Sequence, residues 1–150
     1  LLAIGILPGC QKNTVSKIPQ IALTAFYPDS IKVNVDTVFI RFSIVDGDAD
    51  TGNSSTSQIY LKDSRYDSAG FQPIPFPPIN PSVEDPSKGL LGDCIFYPTL
   101  PVTPRTDSLH TAMGDTLHFE MYITDRAGNE SNHVVTPSVI VRPERKGIHL

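Results

Sequence analysis

Three carboxylates at alternate positions are the residues of this chain best suited to chemistry. Asp46, Asp48 and Asp50 lie in the segment Asp46-Gly47-Asp48-Ala49-Asp50-Thr51-Gly52-Asn53. Carboxylate oxygens on a glycine-containing loop can converge on a hard cation, and Ca²⁺ takes six to eight oxygen ligands. The segment therefore predicts a calcium site.

The acidic segment departs from the EF-hand loop, whose first half has the same carboxylate spacing. An EF-hand loop needs an invariant glycine after its third carboxylate position and a bidentate glutamate at its end. Thr51 occupies the glycine position here, and Ser57 occupies the glutamate position. An EF-hand is therefore excluded, but a looser calcium site is not.

The residue types needed for catalysis are present without a motif that collects them. No nucleophile elbow surrounds a serine, and the histidines lack the spacing of a zinc site. Those histidines are His110, His118, His133 and His149. Cys94 is followed by Ile95 and Phe96, which predicts a buried, inert thiol rather than a nucleophile. We therefore expect a protein that is not an enzyme.

The start of the chain predicts a lipid anchor. An apolar run, residues 1–7, leads through Pro8-Gly9 to Cys10 and then to polar Gln11-Lys12-Asn13. The run is too short to cross a bilayer, which takes about 20 apolar residues. It resembles a bacterial lipobox, which implies that residues 1–10 end a signal peptide, that Cys10 carries the lipid, and that residues 11–18 form a tether.

Cys10 has a second interpretation. The same run could be an apolar N-terminal strand with a buried cysteine, and Cys10 could then pair with Cys94 in an oxidising compartment. If the lipobox holds, the chain is anchored to a membrane of the bacterial cell envelope. The residues after Cys10 lack the acidic cluster of a surface-export signal, so we expect the outer membrane and its periplasmic side.

Composition favours one domain rich in turns. The chain has 150 residues with 14 Pro, 10 Gly and no Trp, which is typical of short strands rather than helices. Its net charge is -4, from 12 basic and 16 acidic residues. The basic residues are scattered, which argues against nucleic acid as a partner. We assign residues 19–142 to the domain and 143–150 to a C-terminal tail.

Alternating apolar residues predict an all-β fold. Val38, Ile40, Phe42 and Ile44 share one face of an extended segment, and the segment 116–124 repeats the pattern. Shorter strand-like runs lie near residues 58–62, 91–97 and 133–141. About seven such strands predict an antiparallel β-sandwich.

A proline-rich insert at residues 71–88 interrupts the alternation. Its prolines require an extended backbone. Ile74, Phe76 and Ile79 predict a polyproline-like strap laid over an apolar edge of the sheet. A partner-binding loop formed by the same three residues, or a flexible segment, remains the alternative.

The predicted final hairpin, residues 116–141, contains Asp125-Arg126-Ala127-Gly128-Asn129 and resembles bacterial immunoglobulin-like and fibronectin type III-like domains. The whole arrangement resembles uncharacterised Bacteroidota lipoproteins. An immunoglobulin-like sandwich brings its B–C and F–G loops to one end. The predicted calcium ligands are therefore Asp46, Asp48, Asp50, Asn53, Asp125 and Asn129. Arg126 gives the alternative, because its guanidinium could neutralise these carboxylates without a metal.

The resemblance to Bacteroidota proteins implies a modification. Their extracytoplasmic proteins can carry O-glycans at Asp, then Ser or Thr, then an aliphatic residue. This chain contains the pattern more often than its composition alone would produce, at Ser30, Thr37, Ser68, Ser108 and Thr116. The same pattern also arises where a turn leads into a strand.

These observations predict a lipid-anchored envelope protein without catalytic activity. The leading hypothesis is a module that binds a protein or glycan partner. The alternative is a structural spacer, or a subunit of an envelope complex, that calcium rigidifies.

Overall fold

The computed structural model describes residues 15–32, 36–80, 85–98, 105, 109 and 113–143. Cys10, residues 11–14 of the predicted tether, Ser108 and residues 144–150 of the tail lie outside the described residues. The described part of the chain is all-β, which confirms the fold class predicted from the alternation.

Ten strands and one short 3₁₀ helix, Asp67–Ala69, are described. The strands are β1 (Gln20–Tyr27), β2 (Ser30–Lys32), β3 (Phe39–Asp46), β4 (Gln58–Asp63), β5 (Gln72–Pro75), β6 (Leu90–Phe96), β7 (Asp115–Leu117), β8 (Phe119–Ile123), β9 (Val134–Val135) and β10 (Val139–Arg142). The count exceeds the predicted seven partly because two predicted strands are divided. The first division falls at His118, and the second falls at the segment around Pro137, which cannot donate a backbone hydrogen bond.

The strands form three sheets around one core. One sheet has the order β1-β3-β6, another β5-β4-β8-β9, and the third β2-β10-β7. The third sheet extends the second, because β7 leads into β8 and β9 is followed by β10. All pairs are antiparallel except β2 with β10, which is parallel. The antiparallel prediction missed this pair because β2 leaves β1 after a short turn and joins a different sheet.

The alternating apolar residues predicted to share one face lie in the core. Val38, Ile40, Phe42 and Ile44 are buried, and Phe119 from the facing sheet is fully buried. The buried side chains of all three sheets form one cluster, as a sandwich-like architecture requires. Cys94 on β6 is buried as predicted, and burial raises the pKa of its thiol to about 12.

The predicted tether is partly wrong in its bounds. Residues 15–18 are not a free linker, since Gly47 donates its backbone N–H to the carbonyl of Ser16 at 2.8 Å. The contact needs a glycine, because a Cβ at position 47 would lie 2.4 Å from the carbonyl oxygen of Val15. Sequence patterns could not reveal a contact made across thirty positions of the chain.

A buried ionic cluster closes the end of the sandwich where β4 finishes and β7 begins. The Arg65 guanidinium bonds both carboxylate oxygens of Asp63 and reaches Asp115 at 3.4 Å. Arg105 also bonds Asp115, at 3.0 Å. The side chains of Arg65 and Asp115 are 3% and 1% exposed. Burial alone would raise the pKa of Asp115, but hydrogen bonds from Arg105 and from the Thr116 backbone lower it to about 2.

The replacement Asp115→Asn should destabilise the fold at neutral pH by about 3 kcal/mol, because it removes one partner of a buried ion pair. The folded pKa of Asp115 lies below the unfolded value, so its contribution is present above about pH 5 and is lost as the pH falls towards 2. Urea unfolding between pH 7 and pH 2.5 measures the free energy of unfolding of wild type and of Asp115→Asn. The difference between these two free energies should shrink as the pH falls. Asp93→Asn, which breaks a half-exposed pair with Arg41, should cost at most about 1 kcal/mol. A difference in free energy of unfolding that stays constant across this pH range would contradict the lowered pKa of Asp115.

Candidate metal site

The three alternate carboxylates converge in the structure. One ligand oxygen from each of Asp46, Asp48 and Asp50 lies within 4.8 Å of the others. Two oxygens on opposite sides of one Ca²⁺ are about 5 Å apart, since each Ca–O distance is about 2.3–2.6 Å. The spacing therefore allows one cation to contact all three side chains, and acidic groups also cluster in this way without an ion.

Asp46 shapes the loop from its centre. It ends β3 and is fully buried, so its carboxylate must be satisfied by the protein. Its Oδ2 accepts hydrogen bonds from the backbone N–H groups of Asp50 and Thr51, each at 3.0 Å, and from the Thr51 hydroxyl at 2.8 Å. Its Oδ1 accepts a longer bond, 3.4 Å, from the Asp48 backbone N–H. The loop therefore wraps around this one carboxylate.

Asp48 and Asp50 each present a carboxylate oxygen without a donor. Within the described part of the chain, Oδ1 of Asp48 and Oδ1 of Asp50 are buried atoms with no hydrogen-bond partner. The other oxygens are used: Oδ2 of Asp50 accepts the Ala127 N–H at 3.2 Å, and Oδ2 of Asp48 lies 3.8 Å from the Lys17 ammonium. Buried polar atoms in native proteins usually have a partner, and a cation is a partner that suits two carboxylate oxygens.

The second acidic loop meets the first, as the sequence predicted. The Arg126 N–H bonds the carbonyl of Asp50 at 3.1 Å, and the Arg126 guanidinium bonds the carbonyl of Ala49 at 3.2 Å. We call residues 46–53 together with 124–129 the acidic pole. In the second loop, both carboxylate oxygens of Asp125 accept hydrogen bonds from Asn129, each at 2.7 Å. Asp125 and Asn129 thus contribute charge and loop shape, while the close cluster is formed by the first loop.

Burial and electrostatic repulsion both act on Asp50 in the acidic pole. The pKa of Asp50 is raised, first by burial and then by the charges of Asp125, Asp48 and Asp46; the hydrogen bond from Ala127 only partly offsets this. A bound cation would relieve this repulsion. Arg126, whose guanidinium contacts the carbonyl of Ala49 in the first loop, remains the alternative source of positive charge.

Hydroxyl groups that sequence reasoning passed over hold the acidic loop in place. Ser57 Oγ accepts the Gly52 N–H and donates to the carbonyl of Thr124, each at 2.7 Å. Thr124 Oγ1 in turn donates to the carbonyl of Thr56 at 3.0 Å. Thr51 and Ser57 were visible in the sequence only as departures from the EF-hand loop. Those departures are the residues that build this loop.

Asn53, a predicted calcium ligand, forms hydrogen bonds with the proline-rich strap. Its side-chain amide donates to the carbonyl of Ile79 at 2.8 Å and accepts the Ile79 N–H at 3.0 Å. Gly52 has φ +86°, and a Cβ there would lie 2.5 Å from Ile79 Cδ1. The amide oxygen and nitrogen of Asn53 are thus engaged away from the three-carboxylate cluster.

The strap residues pack inwards. Ile74, Phe76 and Ile79 are partly buried against the core, and Phe76 meets Phe42 edge to face at 6.5 Å. This packing fits the strap prediction. Phe76 and Ile79 also line an open cavity of about 300 Å³ with Leu90 and Cys94, so apolar surface remains there for a partner. The insert is also less irregular than predicted. Its first residues form β5 at the edge of a sheet, where prolines are tolerated.

The predicted glycosylation positions differ in accessibility. Thr37, Ser68 and Thr116 are exposed, whereas Ser30 is partly buried in β2. An attached glycan needs a surface position, so the first three positions suit the modification better than Ser30 does.

An aromatic ladder crosses the outer face of the β4–β8–β9 sheet. The rings of Tyr60 and Tyr122 are stacked with centroids 4.7 Å apart, and Tyr122 stacks on His133 at 4.7 Å. His133 Nδ1 also forms a hydrogen bond with the Glu120 carboxylate at 2.9 Å. Because Tyr122 lies between the other two rings, both of its faces are covered.

No protein-family model, curated protein or solved structure matches this chain. Among the described residues, no helix is long and apolar enough to cross a membrane. The resemblance to immunoglobulin-like lipoproteins therefore stays a prediction.

The replacement Asp50→Asn should stabilise the metal-free protein at pH 7. The folded pKa of Asp50 is raised, so its favourable contribution exists in acid and is lost as the pH rises through that value. Removing the charge should raise the free energy of unfolding by about 1 kcal/mol or less, the usual size for partly exposed charges. Denaturant unfolding with a chelator at pH 7 and pH 4 checks this, and the gain should shrink at pH 4. A loss of stability at pH 7 would instead support neutralisation by Arg126.

Proposed function

We propose that this chain is a non-enzymatic, lipid-anchored module of the bacterial cell envelope whose acidic pole binds a calcium ion. The observation that carries the calcium proposal is the pair of buried, unpartnered oxygens on Asp48 and Asp50 beside the buried Asp46 carboxylate. The lipobox-like sequence ending at Cys10 carries the anchor. In this proposal the ion stiffens the module, and the module serves as a rigid spacer or as a subunit of an envelope complex.

Calcium fits the chemistry of the acidic pole. The donors are carboxylate oxygens, which suit hard cations rather than zinc or copper. Ca²⁺ accepts irregular oxygen shells that water molecules complete, whereas Mg²⁺ demands a near-ideal octahedron and sheds water reluctantly. A divalent charge among Asp46, Asp48 and Asp50 converts their mutual repulsion into attraction. The first loop of the acidic pole is then held by the ion as well as by its hydrogen bonds to Asp46.

Calcium should raise the melting temperature of the domain. A ligand that binds only the folded state stabilises it by about 2.7 kcal/mol at a hundredfold excess over its Kd. For a domain of this size that corresponds to an increase of about 10 °C. Thermal melting followed by circular dichroism, with Ca²⁺ or with a chelator, measures the effect.

Matched variants separate a specific site from general screening. Asp48→Asn and Asp50→Asn should each abolish most of the increase, while Asp93→Asn on the outer face of β6 should retain it. Mg²⁺ at the same concentration should give a much smaller increase. An equal melting temperature with Ca²⁺ and with chelator would overturn the calcium proposal.

A second candidate function, binding of a protein or glycan partner, is supported by the far end of the β1-β3-β6 sheet. Tyr27, Phe39 and Tyr97 form a chain of contacting rings with centroids 5.8 and 6.5 Å apart. Tyr97 is 61% exposed, and neighbouring Ile95 is 51% exposed. Exposed aromatic clusters are typical of binding surfaces. We call these four residues the distal aromatic face.

The double replacement Ile95→Ser and Tyr97→Ser should remove a partner without unfolding the domain, because exposed substitutions usually change stability by about 0.5 kcal/mol or less. Chemical cross-linking in native membranes should give a discrete adduct with wild type and a much weaker one with the variant. Val135→Ser with Ile140→Ser, which are similarly exposed on other strands, should keep the adduct. An adduct that both double variants retain, or that wild type never forms, would contradict this role.

A further inference from the structure

Strand β6 forms one edge of the β1-β3-β6 sheet. Among the described residues it pairs only with β3, over seven consecutive positions and without a bulge. One row of its backbone N–H and C=O groups therefore points away from the sheet. Such an edge can pair with another extended segment unless the protein protects it.

The other sheet edges in the described part of the chain are protected. β1 contains a bulge, and the Asn132 side chain accepts the N–H of Ile21 at 2.8 Å and donates to its carbonyl at 2.9 Å. β5 contains Pro73 and Pro75, and β2, β7 and β9 have at most three residues each. Bulges, prolines and short strands are the usual means of keeping an edge from pairing. β6 has none of them.

The strap leaves space beside β6. An open cavity of about 300 Å³ lies between residues 90–94 of β6 and four strap residues, Phe76, Pro78, Ile79 and Asn80. The strap therefore packs on the core without closing this edge of the sheet.

The sequence of β6 is self-complementary. It reads Leu90-Leu91-Gly92-Asp93-Cys94-Ile95-Phe96, with two apolar residues at each end, a small residue on each side of the centre, and Asp93 at the centre. An antiparallel copy centred on Asp93 places Leu91 opposite Ile95 of the second copy. Leu91 is 80% exposed and Ile95 is 51% exposed, so the pairing covers two apolar side chains of each chain that otherwise face water.

We propose that β6 pairs antiparallel with β6 of a second copy of this chain, about a two-fold axis through Asp93. Two three-stranded sheets then join into one continuous sheet, through the isologous contact that a two-fold axis requires. This inference goes beyond the proposed function and depends on neither the lipid anchor nor the calcium ion.

Charge at the centre of the pair is compensated within each chain. Asp93 faces Asp93 of the second copy, and like charges directly opposite one another oppose pairing. The Arg41 guanidinium on β3 lies 2.9 Å from the Asp93 carboxylate. Two ion pairs therefore meet at the axis rather than two uncompensated carboxylates.

Cysteine cross-linking tests the register in the full chain carrying Cys10→Ser. Cys94 does not compete, because it is buried and burial raises the pKa of its thiol to about 12. Asp93→Cys should form a disulfide dimer with itself under mild oxidation, since directly opposite residues have Cβ atoms about 5 Å apart. Leu91→Cys and Ile95→Cys should each give little dimer alone. The two proteins should give several-fold more dimer when they are mixed under reducing conditions before oxidation.

A mixture that gives no more disulfide dimer than the separate proteins would overturn the proposed pairing. This comparison does not depend on the folding of any one variant under charge repulsion, because the same two proteins are used alone and together.

Sedimentation velocity of the same full chain measures the association itself. Leu91→Lys with Ile95→Lys should convert the dimer to monomer, because the new ammonium groups face one another across the pair. Val135→Lys with Ile140→Lys, which changes similarly exposed residues of other strands, should leave the dimer intact. Wild-type protein that stays monomeric, or a dimer that both double variants retain, would overturn the proposal.

Two further variants test the position of the axis. Asp93→Asn removes the opposed charges and should leave the dimer as strong as in wild type or stronger. Arg41→Gln leaves two uncompensated carboxylates at the axis and should weaken the dimer several-fold. Dimerisation that Arg41→Gln does not change would overturn the axis through Asp93. The calcium titration and the intact mass of the anchored protein give their own results whichever way these measurements fall.

Discussion

Burial of the Asp46 carboxylate is the constraint on which the candidate site depends. Asp46 continues the inward alternation of β3, so the strand that builds the core also carries a charge into it. A buried carboxylate must be compensated, and the loop that follows provides the compensation with the backbone N–H groups of Asp50 and Thr51. Wrapping the loop around Asp46 brings Asp48 and Asp50 to its side. The cluster is thus a consequence of how one core strand ends.

The two ends of the sandwich deal with buried charge in opposite ways. At one end, Asp115 is held by Arg65 and Arg105, and its pKa falls to about 2. At the other end, Asp50 is surrounded by carboxylates, and its pKa rises. At the first end, the buried carboxylate is compensated by arginines of the same chain. The second end leaves Oδ1 of Asp48 and Oδ1 of Asp50 without donors, and the calcium proposal rests on this difference.

The sequence predicted the parts of this arrangement that depend on local pattern. Alternation located β3 and β8, and the resemblance to an immunoglobulin-like sandwich implied that the two acidic loops share one end. The choice among partners was not predictable from the sequence. The amide of Asn53 suits a cation or a backbone equally, and its actual partner, Ile79, lies 26 positions away. The docking of Ser16 on Gly47 likewise depends on a long-range contact. Such choices are decided by packing, which a one-dimensional pattern does not contain.

Asn53 couples the acidic pole to the hydrophobic core. The loop that wraps Asp46 ends in Asn53, whose amide grips the backbone of Ile79 through two hydrogen bonds. Ile79 and Phe76 cover the core from the strap. The acidic loop and the strap are therefore linked by hydrogen bonds, and under the calcium proposal an ion that holds Asp48 and Asp50 also restrains the cover of the core. For this reason a cation bound at the surface is expected to stabilise the whole domain rather than a single loop.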